Sequence, residues 1–195
     1  MEDLARRYLG DRIPGVVLDV GSQDVNGSYR PIFDALGWRY LGLDREDGAN
    51  VDLVARSSYR FPLRRNSIDL VITGQAFEHI EYFWLTWLEM VRVTRIDGLL
   101  FVIAPSRGVE HRHPVDCWRF YQDGLNALAK WGGVPLLEGT TDWERHPDPN
   151  SGEWGDTVGV FRKVRPSWKR RIGTALIGRV GVQMGLHVPT KPHSK

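Results

Sequence analysis

The chain has 195 residues, of which 42% are hydrophobic and 26% are charged, with a formal net charge of only +2. This length allows one domain with a sizeable core, and the balanced charge argues against nucleic acid as a partner. The first residues lack the apolar run of a signal peptide, and no stretch reaches the ~20 apolar residues that a membrane-spanning helix needs. A single cysteine, Cys117, excludes an internal disulfide and a cysteine-based zinc site and favours a cytoplasmic location.

Short apolar runs alternate with amphipathic stretches along residues 1–165, which we interpret as one domain. The predicted strands cover residues 16–20, 39–44, 51–55, 68–73, 99–104, 134–137 and 157–161. The predicted helices cover residues 2–10, 29–36, 82–94 and 123–131, and Pro105 is expected to end the fifth strand. Because the middle strands are apolar on both faces, the pattern predicts an α/β sheet covered by helices on both sides.

The first strand is followed by a glycine-containing loop that is typical of a nucleoside cofactor site. The run ends at Asp19 and Val20, Gly21 and Gly27 follow, and the second strand ends at Asp44. Glycine allows backbone N–H groups to approach a ligand closely, and a carboxylate at the end of the second strand can accept hydrogen bonds from ribose hydroxyls.

The spacing of these residues favours S-adenosylmethionine over a dinucleotide. Gly21 and Gly27 are separated by five residues rather than by the Gly-x-Gly-x-x-Gly spacing that places a pyrophosphate on a helix N-terminus. Asp24 lies between them and Asp19 lies before them, so two carboxylates would repel a pyrophosphate but attract a sulfonium and an ammonium group.

The order of four motifs resembles class I S-adenosylmethionine-dependent methyltransferases. They are Val17-Leu-Asp19-Val-Gly21, the strand-ending Asp44, Asn66-Ser-Ile-Asp69 followed by Glu78-His79, and Gly98-Leu-Leu-Phe-Val-Ile-Ala-Pro105. The resemblance implies a Rossmann-like fold with a seven-stranded, mostly parallel sheet, and an architectural role for Asp69. We predict that the cofactor is bound by Asp19, Gly21, Ser22, Gly27, Asp44, Arg45, Ser57 and Gln75. The acid that many relatives place near the adenine is missing, so this contact is assigned to the backbone near Arg56 and Ser57.

The acceptor is expected to lie between residues 74–81 and the polar, aromatic loop at residues 106–121, because binding groups concentrate on such loops. Glu78, His79 and His113 are the predicted catalytic residues, because a hydroxyl acceptor needs a general base. The predicted substrate-binding residues are His111, Asp116, Trp118 and Arg119. Alternatively, Glu78 and His79 only hold the loop over the cofactor, and Asp116 and Arg119 form a structural ion pair. No ligand spacing is diagnostic of a metal, so we assign no metal ligands, although magnesium-assisted catalysis stays open.

Residues 113–120, His-Pro-Val-Asp-Cys-Trp-Arg-Phe, resemble a segment of small bacterial methyltransferases of polysaccharide synthesis. The similarity to actinobacterial enzymes that methylate mannose-based polysaccharides implies a sugar hydroxyl as acceptor, with the reducing-end 1-O position as the specific prediction. The segment from Trp143 to Trp154 is a second acceptor-binding candidate. The alternatives are N- or C-methylation of a lipophilic or aromatic metabolite and a cofactor-binding partner subunit without catalysis.

Residues 166–195 are interpreted as a basic helical tail. Nine lysines or arginines and no acids occur from Arg162 to Lys195, and Trp168, Ile172 and Leu176 recur at helical spacing. Three roles are consistent with this pattern: packing on the domain or on a second copy in a homodimer, peripheral contact with an anionic membrane, and a loosely ordered basic arm.

Overall fold

The computed structural model describes residues 1–25, 27–144 and 152–165. Seven strands in these ranges form one sheet in the order β3-β2-β1-β4-β5-β7-β6. The strands are β1 Val16–Val20, β2 Arg39–Asp44, β3 Leu53–Val54, β4 Ile68–Gly74, β5 Thr94–Arg107, β6 Leu136–Thr141 and β7 Gly155–Arg162. Strands β1 to β5 are parallel to one another, whereas β7 is antiparallel to both β5 and β6.

Helices cover both faces of this sheet, which confirms the predicted fold class. They are α1 Glu2–Leu9, α2 Arg30–Ala35, α3 Phe83–Val93 and α4 Gln122–Gly132, with a 3-10 turn at Phe77–His79. One core contains Trp87 of α3 and Leu125 of α4, and the other contains Leu4 of α1 and Phe33 of α2. None of the helices in the described ranges is long and apolar enough to cross a membrane. The predicted tail at residues 166–195 lies outside the described residues.

The expectation that Pro105 ends the fifth strand is wrong. Strand β5 continues to Arg107, and Pro105 lies opposite Asp156 of β7. Proline lacks only its own N–H group, and a register irregularity between Pro105 and Arg107 accommodates this missing donor. The extension matters because it carries Arg107 beyond the sheet edge towards the loops that follow.

Asp69 has the architectural role that the sequence predicts. Its carboxylate accepts a hydrogen bond from the backbone N–H of Val16 at 2.8 Å and one from Arg95 Nη1 at 2.5 Å. It therefore joins the start of β4 to the neighbouring strands β1 and β5, at the end of the sheet opposite to the predicted site.

The carboxyl ends of β1, β2, β4 and β5 meet at one edge of the sheet, since these strands are parallel. The antiparallel strand β7 begins at the same edge, because Gly155 and Asp156 pair with the last residues of β5. This edge is where ligands bind in open α/β sheets, and it gathers the predicted cofactor and acceptor residues.

Candidate active site

The loop after β1 needs glycine for two independent reasons. Gly21 has a φ of +81°, and a Cβ at this position would lie 2.4 Å from the Cβ of Ala76, in the segment after β4. Gly27 has a φ of +118°, and its N–H donates to Asp24 Oδ1 at 2.8 Å. The loop therefore lies directly against the end of β4 in a backbone conformation that other residues adopt only with strain.

Asp19 is a buried carboxylate with one unsatisfied oxygen. The residue is 3% exposed, its Oδ2 accepts a hydrogen bond from the hydroxyl of Tyr40, and its Oδ1 has no hydrogen-bond partner. Burial is the main cause that raises the pKa of Asp19 to about 7. A cationic group nearby would favour the charged form of this carboxylate.

Asp44 and Asn50 complete this side of the site. Asp44 accepts hydrogen bonds from the N–H of Gln23 at 3.0 Å and of Arg45 at 2.6 Å. The amide of Asn50 donates to the carbonyl of Ser22 at 2.8 Å and to the hydroxyl of Tyr40 at 3.0 Å. Asn50 fixes the glycine loop to the chain after β2, a role that the sequence analysis missed because no motif marks it.

Glu78 lies at the centre of the acceptor side. Its side chain is fully buried, and neither of its carboxylate oxygens has a hydrogen-bond partner. Oε1 lies 3.6 Å from His79 Nε2 and 3.9 Å from His111 Nε2. Burial is the main cause that raises the pKa of Glu78 to about 7.

Both histidines direct Nε2 at Glu78. His79 Nδ1 lies 2.5 Å from the carbonyl oxygen of Val115, and His111 Nδ1 lies 3.2 Å from that of Val109. A carbonyl oxygen can only accept, so each Nδ1 is the nitrogen that donates, and Nε2 carries the lone pair when the ring is neutral. Burial lowers the pKa of His79, which favours this neutral form.

Asp116 and Arg119 hold the loop that presents His111. The Asp116 carboxylate receives two hydrogen bonds from Arg119, at 2.5 and 2.8 Å, and one from the backbone N–H of His111 at 2.9 Å. Its Oδ2 also lies 3.4 Å from His111 Nδ1. The hydrogen bonds from Arg119 are the main cause that keeps the pKa of Asp116 well below its usual range, so this pair is charged at neutral pH.

The other two predicted acceptor residues lie further from Glu78. His113 is exposed, with its ring centroid 6.2 Å from that of His79, and its described contacts do not include Glu78. Trp118 Nε1 donates to the carbonyl oxygens of Ile80 and Glu81, each at 3.2 Å. An open cavity of about 350 Å³ next to this loop is lined by Gly108, Glu110 and residues 116–119.

Gln75, one of the predicted cofactor residues, contacts Asp156 of β7. Its Nε2 donates to Asp156 Oδ1 at 2.8 Å. Its φ of +59° lies in the left-handed region, which a non-glycine residue rarely adopts outside special sites. Tyr29 packs directly on Gly74, where an added Cβ would lie 2.4 Å from its hydroxyl oxygen. The sequence analysis missed Asp156 and Tyr29, and only the proximity of Asp156 to Trp154 hinted at the former.

Glu78, His79 and His111 also form the one cluster among the described residues whose geometry suits a metal ion. One donor atom from each lies within 4.8 Å of the others. Two imidazoles and one carboxylate suit ions of the zinc or manganese type, whereas magnesium prefers an all-oxygen shell. The cluster therefore fits magnesium, the ion considered from the sequence, less well than a nitrogen-binding ion.

The chain is similar to known methyltransferases. Residues 18–102 match a family model described as "Methyltransferase domain". An "uncharacterized methyltransferase" of Mycobacterium ulcerans is 25% identical, with 84% of this chain and 78% of that protein covered. One of Mycolicibacterium paratuberculosis is 31% identical over 51% of this chain and 43% of the relative.

The fold is similar to that of a Burkholderia thailandensis 1,6-didemethyltoxoflavin-N1-methyltransferase, solved with its acceptor and S-adenosylhomocysteine. The TM-score is 0.66 at 18% identity, with 84% of this chain and 76% of that chain covered. The methyltransferase-domain match, the methyltransferase relatives and the fold together indicate an S-adenosylmethionine-dependent methyltransferase with the class I fold. The protein is therefore an enzyme that uses S-adenosylmethionine as its methyl donor.

Proposed function

We propose that the enzyme transfers the methyl group to a hydroxyl of a sugar. The observation that carries this proposal is the buried Glu78 carboxylate facing the Nε2 atoms of His79 and His111. A hydroxyl is a poor nucleophile until a base removes its proton, whereas an amine or thiol needs little such help. A base cluster at the acceptor side therefore supports O-methylation over N- or S-methylation.

In the proposed reaction the hydroxyl oxygen attacks the methyl carbon in line with the sulfur. The O–CH₃ bond forms as the S–CH₃ bond breaks, and the electron pair stays on sulfur to give neutral S-adenosylhomocysteine. The hydroxyl proton passes to Nε2 of His111, whose side chain is 37% exposed, against 14% for His79. Glu78 stabilises the resulting imidazolium, and His113 lies at the rim of the cluster rather than acting as the base.

The cofactor is proposed to bind along the loop after β1. Backbone N–H groups near Gly21 and Gly27 approach it closely, and Asp44 accepts hydrogen bonds from the ribose hydroxyls. The unsatisfied Oδ1 of Asp19 supports a cationic ligand on this side, because a positive charge lowers the cost of burying a carboxylate. Ser57 and Arg45 are proposed to flank the adenine at the ends of β2 and β3.

The sugar is the finer part of the proposal, and a mannose oligosaccharide methylated at its reducing-end 1-O position is its most specific form. It is supported by the resemblance of residues 113–120 to methyltransferases of polysaccharide synthesis. It is also supported by two tryptophans that are each 36% exposed, Trp154 with its ring 5.0 Å from that of His111 and Trp118 on the loop that carries His111, because flat aromatic side chains suit the apolar faces of sugar rings.

The test is an acceptor screen with methyl-labelled S-adenosylmethionine and the full chain. Monosaccharides and mannose oligosaccharides are compared with amines and thiols, with no added metal, with magnesium and with manganese. Label is expected on a sugar hydroxyl, and Glu78→Gln is expected to reduce its transfer by at least about a hundredfold. Label found only on nitrogen or sulfur acceptors, or full activity of Glu78→Gln, contradicts the proposal.

A further inference from the structure

Trp154 lies beside the proposed base, His111, in a position that is possible only because residue 108 is a glycine. Its ring centroid is 5.0 Å from that of His111, at an interplanar angle of 79°. It also packs on Gly108, where an added Cβ would lie 2.4 Å from Trp154 Cε3. The side chain still keeps 36% of its surface exposed, so it forms a wall next to His111 that a ligand can reach.

Arg107 fixes this wall to the sheet. Its Nε donates to the carbonyl oxygen of Trp154 at 3.1 Å, and its Nη1 donates to that of Trp143 at 3.1 Å. A Cβ at Gly155 would lie 2.8 Å from Arg107 Nε. The last residue of β5 thus sets the position of Trp154 through backbone contacts, as a preformed binding surface requires.

A polar pair lies at the start of β7, two residues after Trp154. Asp156 is close enough to Glu78 for its charge to help raise the pKa of that carboxyl, so it lies near the same cluster that Trp154 contacts through His111. Asp156 Oδ1 accepts a hydrogen bond from Gln75 Nε2 at 2.8 Å, and Gln75 itself is exposed. The surface therefore combines an aromatic ring with a carboxylate and an amide.

We propose that Trp154, Asp156 and Gln75 form the acceptor-binding surface of this enzyme and that it binds a pyranose ring. The apolar C–H face of the sugar packs on Trp154, and neighbouring hydroxyls donate to the Asp156 carboxylate. An aromatic metabolite would also stack on Trp154, but it would shield Asp156 and Gln75 from water without offering them hydrogen bonds beyond the one between them. This inference rests on the proposed function, because it assumes that the bound sugar directs a hydroxyl at His111.

Binding is tested without methyl transfer, by NMR titration of the full chain saturated with S-adenosylhomocysteine. The probes are methyl α-D-mannopyranoside and cyclohexanol, which has no neighbouring hydroxyls. Trp154→Ala is expected to weaken mannoside binding by at least about tenfold, and Trp154→Phe is expected to restore it to within about threefold. Asp156→Asn is expected to weaken binding of the mannoside but not of cyclohexanol.

Trp143→Ala is the matched control. Trp143 is a second exposed tryptophan between β6 and β7, with 71% of its surface accessible, but its ring stacks on Tyr121 at a centroid distance of 5.6 Å rather than on His111. Its mannoside affinity is expected to equal that of the wild type. Each variant is accepted only if its melting temperature and S-adenosylhomocysteine affinity match the wild type.

Three binding results overturn the inference: no mannoside binding by the wild type, equal binding by Trp154→Ala, or equal weakening by Trp143→Ala. Methylation of a hydroxyl acceptor that is unaffected by Trp154→Ala overturns this inference and leaves the proposed function intact. Mannoside binding that depends on Trp154, without methyl transfer to any hydroxyl, supports the inference and overturns the proposed function alone.

Discussion

The two sides of the active edge are built in different ways. The proposed cofactor side comes from one stretch of chain, residues 19–57, in which Asp19, Asp44 and Asn50 fix neighbouring turns. The acceptor side joins residues 75–79, 107–119 and 154–156, which are distant in sequence and are brought together by the sheet. One side is thus set by local chain geometry, and the other by contacts between remote segments.

This difference implies that the two sides respond separately to substitution. Changes among the acceptor residues should alter chemistry and acceptor choice while cofactor affinity is kept. Changes at the ends of β1 and β2 should alter cofactor affinity while the base cluster stays intact. Substitutions at sites that share no partners have additive effects on free energy. A variant on one side that changes both cofactor affinity and acceptor chemistry would therefore contradict this separation.

The largest effect is expected from His111→Ala. Loss of a general base is expected to reduce kcat by about a thousandfold, while the affinity for S-adenosylhomocysteine measured by calorimetry stays unchanged. His113→Ala is the control, because His113 is exposed and lies outside the described contacts of Glu78. An equal loss of kcat in both variants shows that His111 has no special role.

Asp44→Ala tests the cofactor side. Because each hydrogen bond to a charged group contributes about 1.5–3 kcal/mol, the loss of the proposed ribose contacts is expected to weaken S-adenosylhomocysteine binding by about a hundredfold. Asp47→Ala, at an exposed acid in the loop after β2, is expected to leave binding unchanged. Unchanged binding by Asp44→Ala contradicts the assignment of this side.

Glu78→Gln tests how the ionisation of Glu78 affects the free energy of unfolding. Burial raises the pKa of Glu78 from its ordinary 4.5 to about 7, so between these values the folded protein keeps a proton that the unfolded chain has released. The free energy of unfolding therefore falls as pH rises through this window. Glu78→Gln is expected to be more stable than the wild type by about 2 kcal/mol at pH 8 and similar to it at pH 5.

Denaturant unfolding at the two pH values measures this effect. Glu110→Gln serves as the control, because Glu110 is an exposed acid in the same region. A stability difference that is the same at pH 5 and pH 8 means that Glu78 does not titrate between them. The same ionisation is needed for catalysis in the proposed reaction, so the activity of the wild type is expected to rise over the window in which its stability falls.

The smallest effect is expected from Asp116→Asn, which acts through His111. Loss of the charged acceptor weakens the contacts that orient the His111 ring and is expected to lower kcat by about tenfold. The pH–rate profile is also expected to shift, which a general loosening of the loop would not produce. Asp116→Glu, which keeps the charge, is the comparison variant. If the pH–rate profile of Asp116→Asn is identical to that of the wild type, Asp116 does not position His111.

Most residues that we assign to the cofactor side were identified from the sequence, because their signals are local, and their role stays a prediction. Asp19, Gly21 and Asp44 occur at strand ends that hydrophobic runs mark directly. On the acceptor side, Glu78, His79 and the pairing of Asp116 with Arg119 were found as candidates. However, the contact of His111 rather than His113 with Glu78 depends on how the loop folds back, and sequence spacing does not encode it.

The sequence by itself determined the α/β class, the helix-covered sheet and the presence of a cofactor loop, since periodicity and glycine placement act over a few residues. The tertiary structure decided that β5 continues past Pro105, that β7 enters antiparallel at the active edge, and that Trp154 and Asp156 lie beside His111 and Gln75. These features depend on pairing between segments about 50 to 80 residues apart, which local propensity does not specify.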